Sequence, residues 1–296
     1  MRPASAQQDT DETFNKTILR AVDTLFKNYK GGGYDIKKAY THRIEYGGGE
    51  IKPSDAPWTM CVAAVAEVIA TAVAIHASET NDKTVFDQLP VIGWNRMRPT
   101  DIRSHLWVDP RLDSYGTADA LVTFGIGKRV KFSELKPGSF VNINRTNRTG
   151  HAVVFINYLD KSGAPLEAYS DKVAGFRYFS AQNRNSHGLG YGYAFFTGSG
   201  YNSCPALSSG EQPDCGVIYS TGQKMLNTGF MLHPGKWNKE ARETNMKALL
   251  EGLYVQTRSR GDDYLGIPSA VDFDEFLSRI ESTDTMRLNP IFEQPE

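Results

Sequence analysis

Met60–Ala77 reads MCVAAVAEVIATAVAIHA, the longest apolar stretch in the chain. It is about long enough to cross a bilayer. Glu67, Thr71 and His76 interrupt it, however, and alanine outnumbers leucine and phenylalanine. A helix that is alanine-rich and apolar nearly all round is expected at the centre of a globular domain, packed on every side. Just before it, Ser54-Asp55-Ala56-Pro57-Trp58-Thr59 supplies an entry. Asp55 or Thr59 is expected to cap the helix, and Pro57 suits a helix start.

Working outward, residues 9–29 place Phe14, Ile18, Val22, Leu25 and Phe26 at helical spacing, so an amphipathic helix is expected there, ended by Gly31-Gly32-Gly33. Residues 80–133 mix turn signals, charges and the tryptophans Trp94 and Trp107, and read as short helices and irregular connections. After the turn Phe132–Gly138 the composition changes to three strand-like runs, Ser139–Asn144, His151–Leu159 and Gly175–Gln182, rich in Val, Ile, Phe and Tyr. A glycine-rich stretch, a helix over Asn238–Leu253 and a polar tail with Pro290 and Pro295 follow. Helices first and an antiparallel sheet second predict an α+β fold. The expected organisation is a processed or disordered terminus at 1–8, a helix and connection at 9–53, the main domain at 54–235 and a helical extension at 236–296.

The 296 residues are 40% hydrophobic, which excludes a wholly disordered chain. Thirty-three basic and 34 acidic residues leave a formal charge of −1. That balance gives no general electrostatic attraction to nucleic acid or to an acidic membrane surface, so neither is expected as a partner. With polar interruptions in the one long apolar stretch, no integral membrane segment is expected.

Three cysteines are present, Cys61, Cys204 and Cys215. The last two flank the turn-rich loop CPALSSGEQPDC. A disulfide there is expected, and on the chain-entropy model would stabilise the fold by about 2.5–3 kcal/mol. Pairing implies an oxidising compartment. Ala4-Ser5-Ala6 fits the small-x-small pattern of signal-peptidase sites, so a secreted or periplasmic location is expected. Cys61 is then left over, a reactive-thiol candidate.

The chemistry follows from that leftover. At a helix amino end the unpaired N–H groups and the dipole favour a thiolate and a developing oxyanion. A thiolate needs a base, and His151 opens a strand directly after Gly150 in RTNRTGHAVVFINY. The base needs an orienting amide or carboxylate, and Gln182 or Asn183 closes the next strand, FRYFSAQN. His187, in SHGLGYG, is the rival base. His42, His76, His105 and His233 show no partner spacing. With no CxxC, HExxH or HxH, no metal is expected, and no cofactor. FGIGK at Phe124–Lys128 lacks the phosphate-loop pattern. The aromatics and glycines of HGLGYGYAFF suit the wall of a substrate groove.

Cysteine on a helix start, then histidine and a polar amide on successive strands, is a papain-like order. The segment LKPGSFVNINRTNRTGHAVVFINYLD, with the helix PWTMCVAAVAEV, resembles the strand hairpin and cysteine helix of NlpC-type and CHAP peptidoglycan amidases. The resemblance covers about residues 55–197. Where those families carry an acid after the glycine of the hairpin, this chain has Ser139. The resemblance implies an exported cysteine amidase or endopeptidase acting on peptidoglycan stem peptides, with Cys61 as nucleophile, His151 as base and Gln182 as orienting residue. As an antibacterial effector it would be met by an immunity or inhibitor protein. Two other expectations are compatible with the same residues: a protein deamidase or transglutaminase-like toxin, and a non-catalytic cell-wall binding module.

Overall fold

The computed structural model describes residues 12–96, 116–144, 150–182, 187–196, 204–207, 211–220, 223, 225–241 and 264–265. Asn183, Trp107, His105 and most of the expected helix over 238–253 lie outside them, as do the terminus at 1–8 and the tail.

The chain opens with α1 (Asn15–Tyr29), which buries Ile18, Ala21, Val22 and Leu25 along one side. Gly31, Gly32 and Gly33 then turn it with φ of 81°, 88° and 100°, conformations open to glycine without a side-chain clash. A short hairpin, β1 (Ile44–Tyr46) and β2 (Gly49–Ile51), follows. The long apolar stretch forms α2 (Cys61–Thr80), ended by Asn81 in the left-handed conformation. In its most apolar window 78% of the residues are buried inside the protein, so the helix spends its apolar surface on the core. Neither Asp55 nor Thr59 caps it. The N-cap position is Met60, in extended conformation and without a side-chain cap bond. Thr59 pairs as an extended residue with Tyr34 and is fully buried, and its hydroxyl makes no cap bond.

Three short helices follow, α3 (Val85–Gln88), α4 (Val91–Arg96) and α5 (Thr117–Thr123). The main sheet collects β3 (Gly127–Arg129), β4 (Phe140–Asn144), β5 (Gly150–Leu159), β6 (Pro165–Leu166), β7 (Gly175–Gln182), β8 (Gly188–Phe196), β9 (Gln212–Val217) and β11 (Leu226–Met231). Short β10 (Tyr219–Ser220) pairs with β12 (Tyr264–Leu265) apart from it. The order is β3-β11-β4-β5-β7-β8-β9, with β6 on β5. Every pairing in it is antiparallel except β8 with β9. The architecture is therefore α+β, helices on a large, mostly antiparallel sheet. FGIGK runs from α5 into β3, helix then strand, the reverse of a phosphate loop.

The sheet is buried on both faces. Phe140, Ala152, Val154, Phe179, Ala181 and Leu189 join α1 and α2 in one apolar cluster. Val141, Ile143, Val153, Phe155, Phe176 and Tyr178 point to the other face, into a cluster around Phe132. Neighbouring strand residues alternate between faces, so each strand feeds both cores. Along the β4–β11 side a buried polar layer replaces apolar contact. The Thr117 N–H donates to Asn142 Oδ1 at 2.7 Å, and Asp119 is held by Arg129 and by Asn227 Nδ2 at 2.9 Å. Burial pushes the Asp119 carboxyl up from the usual range, and Arg129 opposes that shift. Cys204 and Cys215 are joined as a disulfide, their Cα atoms 5.5 Å apart.

Candidate active site

Cys61 is the first residue of α2 and lies outside the disulfide. The first helical N–H groups have no partner within the helix, and the N-cap residue Met60 makes no side-chain cap bond to them. The first intrahelical bond runs from the Ala64 N–H to the Met60 carbonyl at 2.8 Å. The thiol thus sits where backbone donors and the dipole favour negative charge. At 3% exposure Cys61 is as buried as the core residues that follow it.

The three glycines of residues 31–33 set where that helix end stands. The Gly31 N–H donates to the Leu189 carbonyl at 2.8 Å, and the Leu189 N–H returns a bond to Gly31 at 3.0 Å. A Cβ on Gly32 would stand 2.8 Å from the Pro57 carbonyl oxygen, and one on Gly33 would meet the Trp58 ring at 2.6 Å. A Cβ on Gly188, where φ is +66°, would overlap the Gly31 carbonyl. The segment is a close-fitting strap between the start of β8 and the residues leading into Cys61. Sequence reading took these glycines only as a helix stop; three in a row was the available signal for a backbone packed against backbone.

His151 lies at the same end of the sheet. The Ser180 hydroxyl donates to the Ala152 carbonyl at 2.7 Å, and Val154 pairs with Phe179. The start of β5 therefore adjoins the end of β7, where Gln182 pairs with Gly188 of β8. His151 is 4% exposed, and its ring meets Tyr178 edge-on with centroids 5.3 Å apart. Strand alternation puts it with Val153 and Phe155 on the Tyr178 face, whereas Ala152 and Val154 face α2.

Gln182 joins His151 there by an indirect route. Its Nε2 donates to the Tyr178 hydroxyl at 2.6 Å, so the amide meets the ring that packs on His151. Tyr178 touches both side chains, His151 through its ring and Gln182 through its hydroxyl. The structure thus groups His151, Tyr178 and Gln182 on one face, and Cys61 with α2 in the cluster of the other face, at the same sheet end. Compared with known proteins, the chain matches no family model, no curated protein and no solved structure.

His187 immediately precedes β8, and its carbonyl lies 3.4 Å from where a Cβ on Gly31 would stand. With Gln182 it lines a cavity of about 450 Å³ beside the strap.

Three histidines without readable partner spacing prove to have partners. Glu67, fully buried on α2, accepts from the Thr41 N–H at 3.1 Å and hydroxyl at 2.6 Å, and lies 2.8 Å from His42 Nδ1. His42 also stacks on Tyr29 at 3.6 Å. His76 and His233 meet with centroids 5.3 Å apart beside Phe14. Burial, and then the proximity of His233, lower the His76 pKa against the opposing pull of Asp82 and Glu79. Both contacts join segments far apart in the chain, which no local spacing reveals. Among the described residues no group of His, Cys, Asp and Glu forms a metal cluster.

Proposed function

We propose that the chain is an exported cysteine amidase or endopeptidase of papain-like arrangement that cleaves amide bonds in peptidoglycan stem peptides. The observation that carries this reading is the position of Cys61: the opening residue of a buried helix without a side-chain cap, strapped to the sheet end where His151 stands. The reading requires proton transfer between the two faces of that sheet end, since Cys61 lies with α2 on one and His151 beside Tyr178 on the other. The disulfide fits an oxidising compartment, which is where cell-wall peptides lie.

The chemistry balances with these groups alone. His151 takes the Cys61 proton, and the thiolate sulfur attacks the amide carbonyl carbon. The first-turn N–H groups of α2 receive the charge that develops on the carbonyl oxygen. The C–N bond breaks as the amine leaves with the proton from the imidazolium, giving a thioester on Cys61. Water, deprotonated by His151, attacks the thioester, the C–S bond breaks, and the acid product leaves with the thiol restored. Tyr178 and Gln182 position the His151 ring by packing and by the Gln182–Tyr178 bond.

Incubation of the full chain with purified sacculi, followed by mass analysis of the soluble fragments, tests the reading. New free amines and carboxylates at one stem-peptide bond are expected. Intact sacculi over a day of incubation would overturn it, and a Cys61 thiol that resists alkylation at neutral pH would favour a binding module instead.

A further inference from the structure

We propose that the cavity at the open end of β8 is a subsite for a free carboxylate on the peptide substrate. This rests on the hydrolase reading and names the substrate class of the same site. β9 pairs with β8 only from Gly192 onward, at Gln212. The preceding Gly188–Tyr191 edge therefore has no β9 neighbour, and the strap takes its place at Leu189. What remains is a cavity of about 450 Å³ bounded by the end of α1, the strap and this edge.

Its charged groups are arranged for an anion. Arg177 lies over the Tyr191 ring, 4.5 Å from the centroid. Its Nε donates to Glu211 Oε2 at 3.1 Å, and its Nη2 bonds the other Glu211 oxygen. Two of the five guanidinium N–H donors are spent on Glu211, leaving three. Stacking and the carboxylate clamp fix the plane of the guanidinium before a ligand arrives, which lowers the ordering cost of binding. The Arg177 side chain is 35% exposed and that of Glu211 16%, so the arginine is the reachable partner. Lys30, also in the lining, lies 5.6 Å over Phe26. Lys30 and Arg177 against Glu211 leave one excess positive charge in the lining. Phe26 and Tyr191, 4.7 Å apart, give an aliphatic stem an apolar bed. Gln182 belongs both to this lining and to the Tyr178–His151 group. A substrate with its carboxylate on Arg177 therefore reaches the candidate catalytic end along one side chain.

The probe is a stem tetrapeptide with its carboxylates free, set against the same peptide with carboxamides in their place. Binding is measured calorimetrically on the full-length Cys61→Ala protein, so that turnover does not enter. The acid form should bind about tenfold or more tighter than the amide form, the scale of a charge-assisted contact in a partly exposed site. Arg177→Gln and the surface substitution Lys30→Gln should each reduce that preference, and higher salt should weaken it. Equal affinity for acid and amide forms, absence of binding by either, or a preference untouched by Lys30→Gln in a folded protein overturns the subsite. Hydrolysis of sacculi by the wild-type chain is scored separately. Selective binding without hydrolysis keeps the subsite and rejects the enzyme; hydrolysis without selectivity does the reverse.

Discussion

The two faces of the central sheet are built from different materials. Toward α2 the strands present Ala152, Val154 and Ala181 beside Phe140 and Phe179, and the helix in that cluster is rich in alanine. Small groups on both sides allow close approach of helix and sheet. The opposite face is aromatic: Phe132 touches Phe155, Tyr158, Phe176, Phe196 and Tyr219 with ring centroids between 5.4 and 6.4 Å, mostly edge-on. One face is matched by size, the other by ring geometry. The candidate site draws on both, Cys61 from the alanine-rich core and His151 with Gln182 from the aromatic one. The two cores must therefore stay in register for the site to exist.

The comparison is broken most strongly by removing a ring. Phe155→Ala should cost about 3–5 kcal/mol in denaturant unfolding, because the lost ring leaves a cavity among rigid neighbours. Val154→Ala, one residue along and facing α2, should cost less, about 2 kcal/mol for two methyl groups plus the void they leave. Equal costs would mean that the faces are not energetically distinct. Ala152→Leu tests the small-residue face from the other direction. Overpacking between β5 and α2 should destabilise by about 1–3 kcal/mol, and by moving the helix off the sheet it should also lower turnover.

The smallest effect concerns the far end of α2. His76 has a pKa lowered in the fold, chiefly by burial. The unfolded state therefore binds its proton first as pH falls, and the folded protein loses stability below about pH 6.5, the ordinary histidine value. Above that pH the contribution is flat. Comparison of melting temperatures of wild type and His76→Gln between pH 5 and 8 should show a shallower acid-side decline in the variant. Parallel curves would exclude His76 as the source.

Much of the framework was legible. Expected strands at Ser139–Asn144, His151–Leu159 and Gly175–Gln182 match β4, β5 and β7 to within one residue at each end, because runs of β-branched and aromatic residues between turn formers have few other uses. α2 was legible from its alanines. β11 was not, since LNTGFM carries Asn227 and Thr228, which are buried only because Asp119, Gln223 and Val130 supply their partners. Nor was the facing of His151 legible. A strand exposed on one side alternates apolar and polar residues, but HAVVF is buried on both sides, and its apolar run hides which residues point to α2. The same ambiguity concealed the Gln182–Tyr178 bond.

The account turns on whether the buried thiol at the start of α2 is the nucleophile. The direct measurement is release of soluble fragments from sacculi by Cys61→Ala beside wild type, His151→Ala and His187→Ala, each checked for an unchanged unfolding transition. Cys61→Ala should lose activity by about 10⁴-fold or more and His151→Ala nearly as much, since a nucleophile and its base act as a unit, while His187→Ala keeps most of its turnover. Cleavage at the wild-type rate by a folded Cys61→Ala protein would contradict the account.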